Sequence, residues 1–83
     1  MDKRIGVVGI VVKNRSLGAK QVNQILTDYG DIVKGRMGIP ELDENICAIA
    51  LIVSGSNDII GAMTGKLGQI KDVKVSTTFI KGE

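Results

Sequence analysis

Few side chains in this sequence have the chemistry for catalysis, and their settings argue against it. There is no histidine, which removes Ser–His and Cys–His nucleophile pairs and the commonest transition-metal ligand. The one cysteine, Cys47, lies between Ile46 and Ala48 in an apolar run. It reads as a small buried hydrophobe, because a reactive thiol needs an accessible, electropositive setting. Glu41, Asp43 and Glu44 offer oxygens to a hard cation but lack the spacing and the glycine of a calcium loop; they read as a solvated hairpin tip. Asp28 and Asp31 flank Gly30, where turn formation explains them, and an acid–base pair would need one of them buried. Gly6 and Gly9 lie within an apolar run, whereas the glycines of a dinucleotide fingerprint lie in a strand-to-helix turn. They read as sites of close backbone or sheet packing.

One segment has binding chemistry. Lys13-Asn14-Arg15-Ser16-Leu17-Gly18 ends the first apolar run and opens a helical pattern. Free N–H groups at a helix start attract anions, and Asn14, Arg15 and Ser16 add side-chain donors. Asn14, Arg15, Ser16, Leu17 and Gly18 are therefore the candidate ligand-binding residues, for a carboxylate or a phosphate. Ser54-Gly55-Ser56-Asn57 is a lesser candidate of the same kind.

The elements that position this turn follow from periodicity. Arg4–Val12 is β-branched, apolar and free of proline, and predicts a strand. Leu17–Tyr29 then takes helical period, with Val22, Ile25, Leu26 and Tyr29 on one stripe. Asn14 and Ser16 are candidate N-caps, and Gly30 is the expected left-handed residue that stops the helix. Ile32–Met37 predicts a second strand with one polar face, Gly38–Asn45 a loop, and Ile46–Val53 a third strand. A second helix over about Asp58–Leu67 carries the stripe Ile59/Ile60, Met63 and Leu67, with Gly68 ending it. Its Gly61 and Gly65, four apart, read as permitting close approach to a sheet or helix. Val73–Phe79 predicts a fourth strand before a polar tail. The order is βαββαβ, two βαβ units with right-handed crossovers, which gives an α+β ferredoxin-like sandwich: a four-stranded antiparallel sheet with two helices on one face. Strands one and three are then central, and Lys34, Arg36 and Lys74 place charge on the outer strands.

The central strands are apolar on both faces. Ile5, Val7 and Val11 point one way and Val8, Ile10 and Val12 the other. Ile46, Ala48, Ala50 and Ile52 likewise oppose Cys47, Ile49, Leu51 and Val53. Two helices cover one sheet face. The other, roughly 440 Å² by strand spacing and rise, is expected to meet a second copy of the chain, giving a homo-oligomer.

Composition agrees with a small associating domain spanning 1–83. Of its 83 residues 43% are hydrophobic, yet only Tyr29 and Phe79 are aromatic, so the core is thin and association would add stability. Eleven Lys/Arg against nine Asp/Glu give a net charge of +2, interspersed rather than clustered, unlike an electrostatic footprint for DNA. A single cysteine excludes an intrachain disulfide and fits the cytoplasm. Neither apolar run reaches the roughly 20 residues of a membrane helix, and a signal peptide is not expected.

The segments Tyr29–Pro40 (YGDIVKGRMGIP) and Ile60–Gly68 (IGAMTGKLG), with the opening Arg4–Val12 (RIGVVGIVV), closely resemble a family of small bacterial proteins called iron-only hydrogenase system regulators. The resemblance implies an ACT-like, ferredoxin-like domain similar to the C-terminal effector domain of nickel-responsive transcriptional regulators. ACT domains oligomerise and bind small effectors, often amino acids, near the first strand–helix turn and the subunit interface; that turn matches Asn14–Gly18. Two departures limit the carry-over. Nickel-regulator domains bind metal largely through histidines, which this chain lacks, so no metal or cofactor is expected. Those regulators also have an N-terminal ribbon-helix-helix segment, and here the first core strand begins by about Arg4, so direct DNA binding is not expected. The combined expectation is a non-enzymatic regulatory module with a small anionic or amino-acid effector; the alternative is a structural or partner-binding subunit without ligand.

Overall fold

In the computed structural model, which describes residues 3–80, Val8, Ile10 and Val12 are almost fully shielded, whereas Ile5 and Val7 are 43% and 38% exposed. Strand alternation alone produces this split, since successive side chains leave opposite faces. The strand is β1 (Lys3–Val12), followed by α1 (Arg15–Asp28), β2 (Val33–Asp43), β3 (Ile46–Ser56), α2 (Asn57–Gly68) and β4 (Val73–Phe79). The expected polar tail at 81–83 lies outside the described residues.

The sheet order is β2-β3-β1-β4, with every neighbouring pair antiparallel. This is the split βαβ sandwich, with the two doubly apolar strands central as expected. On the covered face Val8, Ile10, Val12, Leu51 and Val53 pack against Val22 and Leu26 of α1 and Ile60, Met63 and Leu67 of α2. Each such burial stabilises the fold by about 1.5–3 kcal/mol.

The central turns depart from expectation. β2 does not stop at Met37: it runs through the expected loop to Asp43, leaving Glu44 and Asn45 as the hairpin turn. β2 is an edge strand exposed along most of its length, so its pairing leaves no alternation to read. Pro40, which has no N–H to give a ladder, sits where the register shifts between Ile39 and Asp43. β3 likewise continues past Val53 to Ser56, where Gly55 opposes Arg4. A Cβ on Gly55 would come within 2.9 Å of Ile32 Cγ2, so a bare backbone is required there.

Neither glycine expected to end a helix, Gly30 or Gly68, takes a left-handed φ. Among the described residues the non-glycine positions with positive φ are Asn45 (57°) and Asp72 (64°). Gly68 is the last residue of α2 itself, and a Cβ on Gly30 would crowd the Thr27 carbonyl at 3.3 Å. Gly61 and Gly65 bring nothing close either, since a Cβ on either would meet no atom within 4 Å.

Candidate functional site

Residues one helical turn apart share a face. Arg15, Ala19 and Asn23 therefore line the side of α1 that looks across to β2. On β2, Arg36 and Gly38 oppose Leu51 and Ile49 of β3, which puts both on the helix-covered side of the sheet. Because α1 packs over the central strands and β2 lies at the edge, a cleft opens between them. It has a volume of about 230 Å³, with Cys47 and Ile49 at its floor and Ile39 and Pro40 on its strand side.

The cleft is electropositive. Arg36 Nη2 donates to Asn23 Oδ1 at 2.9 Å, fixing one guanidinium across the opening. The side-chain hydrogen bonds among the described residues leave the Arg15 guanidinium uncommitted. Cys47 is buried and unbridged. One guanidinium from each wall, with apolar groups at the floor and along the strand, suits an anionic head on an apolar body.

Of the five residues marked at the helix start, only Arg15 lines this cleft. Leu17 is 64% exposed. Gly18 is buried, and a Cβ there would lie 2.9 Å from Val12 Cγ1, so its bareness serves close helix–strand packing. Asn14 holds the N-cap position but its side chain caps nothing in the helix; its Oδ1 accepts from Asn45 Nδ2 at 3.0 Å. Ser16 gives both its N–H (3.2 Å) and its hydroxyl (3.0 Å) to Asn45 Oδ1. The Arg15 N–H donates to the Asn45 carbonyl, and those of Leu17 and Gly18 to the Asn14 carbonyl. The first four N–H groups of α1 thus all have partners within the chain, with the β2–β3 turn acting as a long-range cap. At the lesser candidate turn, Ser56 Oγ accepts from Ile59 N–H at 3.2 Å as an ordinary N-cap.

Arg36 was legible only as an edge charge, and nothing local tied it to Arg15. The available signal was the stripe Arg15, Ala19, Asn23, which flanks the apolar stripe of α1 and is interrupted by a small residue. The acidic candidates stay apart from the cleft lining: Asp28 accepts from Gln24 Nε2 and Asp43 from the Glu44 N–H. Among the described residues no group of three or more His, Cys, Asp or Glu is placed to hold a metal ion, and no helix is long and apolar enough to cross a membrane.

Sheet order and crossovers define a ferredoxin-like α+β protein of the type also seen in PII-like structures. A "putative PII-like signaling protein" from Thermus thermophilus superposes with a TM-score of 0.58 at 17% identity, over 96% of this chain and 92% of that one. CPII from Thiomonas intermedia K12, described as a nitrogen regulatory PII-like protein, gives 0.52 at 12% identity, over 99% and 94%. The chain itself belongs to the TM1266-like family, described as "Iron-only hydrogenase system regulator, putative", whose model matches residues 4–77. The uncharacterized protein TM1266 from Thermotoga maritima is 40% identical, with a TM-score of 0.90 over 96% of this chain and 100% of that one. No curated protein matches the sequence.

Proposed function

We propose that this chain is a non-catalytic regulatory module tied to an iron-only hydrogenase system. Copies pair through the open sheet face, and a small anionic or amino-acid effector near the start of α1 favours one arrangement of copies over another. The observation that carries this reading is the apolar open face. Ile5, Val7 and Ile52 are 38–47% exposed on β1 and β3, whose opposite faces are buried, and Met37 and Ile39 of the edge strand β2 add exposed apolar surface on the same side. Strands of 10, 11, 11 and 7 residues give that face roughly 600 Å². Two copies would bury about 1,200 Å² between them, the lower end of specific interfaces. Small residues make a shallow depression at its centre, around Gly9 and Ala50, with Met37 at the rim; a Cβ on Gly9 would meet nothing within 4 Å in its own chain.

The ligand half of the reading draws support from fold relatives: the CPII structures hold ADP and AMP with acetate or bicarbonate. The satisfied N–H groups of α1 favour the second reading, a pairing subunit without ligand. Sedimentation velocity at micromolar concentration tests the pairing: a dimer or larger species is expected, and a monomer removes the proposal. Thermal shift against amino acids and nucleotides separates the two readings, since a binder stabilises the native state once its concentration exceeds Kd.

A further inference from the structure

We infer that the cleft between α1 and β2 is the effector's seat, and that the effector is a small carboxylate on a compact apolar body. This deepens the regulatory reading, but binding in the cleft needs only one chain. An anion at the helix start must displace Asn45 from the N–H groups of Arg15 and Ser16. In the cleft it displaces nothing from the Arg15 guanidinium, and Arg36 is already oriented by Asn23 at 2.9 Å. A planar carboxylate matches the fork of N–H donors on a guanidinium.

The open space is made by two small residues. Ala19 faces it from α1 and Gly38 from β2. A Cβ on Gly38 would stand 3.8 Å from Ile49 Cγ1, an ordinary contact, so packing does not demand glycine there. A larger side chain at that position would occupy the cleft instead. The apolar surface of Pro40 and Ile49 sets aside a bare inorganic ion, which would leave that surface uncovered. Size sets the upper limit: about 230 Å³ lies below the roughly 300–1,000 Å³ of sites for drug-sized ligands. The occupant is therefore of amino-acid size, and a whole nucleotide would protrude.

The test is titration of the ¹⁵N-labelled full chain with acetate, isovalerate and inorganic phosphate at millimolar concentrations. Saturable shifts are expected at the amides of Arg15, Ala19, Asn23, Arg36 and Gly38, with isovalerate binding more tightly than acetate or phosphate. Arg15→Gln and Arg36→Gln should each weaken isovalerate binding about tenfold or more, the loss of a charged hydrogen bond. Gly38→Val should abolish it while the rest of the spectrum stays native. No saturable shift with any probe, phosphate binding as well as isovalerate, or undiminished binding in Arg36→Gln or Gly38→Val would each overturn the assignment. Sedimentation of the same samples reads the pairing separately, so failure of the cleft and failure of the oligomer are distinguishable.

Discussion

Asn45 Oδ1 accepts two hydrogen bonds from Ser16, one from the N–H at 3.2 Å and one from the hydroxyl at 3.0 Å. This ties the tip of the β2–β3 hairpin to the first turn of α1, and so fixes the spacing of the two walls of the cleft. Asparagine suits this position twice over. Its φ of 57° is one that asparagine tolerates better than most residues, and its amide offers a donor and an acceptor together. Asn45→Ala removes the amide and strains the backbone, and should cost about 2–3 kcal/mol. Asn45→Gly removes only the amide bonds and should cost about 1 kcal/mol. Urea denaturation of both checks this; equal losses would show that the left-handed turn contributes nothing.

Glycines divide by what surrounds them. Gly18→Ala would drive a Cβ to 2.9 Å from Val12 Cγ1, and Gly55→Ala to 2.9 and 3.1 Å from Ile32 and Ile59 methyls. These neighbours are stiff, β-branched and packed, so each change should destabilise by about 1–3 kcal/mol. Gly61→Ala and Gly65→Ala lie on an exposed helix face with open space at Cβ and should each stabilise by about 0.5–1 kcal/mol. Thermal unfolding of the four variants at equal concentration decides the point. A loss at Gly61 or Gly65 would show that something outside the chain packs there.

What the sequence made legible and what it hid follow one physical line. Val22, Ile25, Leu26 and Tyr29 announced α1 because burial against the sheet repeats every helical turn. The doubly apolar β1 and β3 announced their central places because both of their faces need cover. The far half of β2 was hidden because an edge strand with exposed side chains is held by backbone pairing, which polarity does not record. The roles of Asn45 and Arg36 were hidden for a related reason. Each depends on a partner brought close only by the crossover from β1 through α1 to β2, Ser16 in one case and Asn23 in the other. The turn Asn14–Gly18 was located correctly as a helix start, but local sequence cannot show that its N–H groups are taken by a residue from the next hairpin.

Lys66 stands over the Tyr29 ring, its Nζ 5.2 Å from the centroid. The neighbouring Tyr29 side chain favours the charged ammonium, with smaller help from Asp28, and holds the Lys66 pKa above the ordinary lysine value. A raised folded-state pKa means the contact contributes fully below the unfolded-state pKa and is lost as pH climbs through the folded one. At neutral pH it is therefore intact, and it fades only in strongly alkaline solution. Tyr29→Phe keeps the ring but removes the hydroxyl, and should move Lys66 back toward its ordinary range. Titration of the Lys66 side-chain ¹³C resonance reads this directly; an unmoved midpoint would assign the raised value to something other than the hydroxyl.

Val7 and Ile52 face each other across the β1–β3 pair on the open side of the sheet, and Ile52 is 47% exposed. A charge at position 52 leaves the core untouched, because Leu51 and Val53, its neighbours along the strand, carry the burial on the other face. Placed between two apposed sheets, the same charge would lose its hydration with no counter-charge among Val7, Ala50 and Met37. If copies pair through this face as proposed, Ile52→Glu should sediment as a monomer at concentrations where the unaltered chain associates. Its Tm should also stop rising with protein concentration, since mass action no longer stabilises it. The two readouts guard each other. A variant that remains associated would move the interface to another surface, and one that unfolds at all concentrations would show that Ile52 stabilises the isolated chain in a way its exposure does not reveal. A folded monomer with a concentration-independent Tm is the outcome that the proposed pairing through the open sheet face predicts.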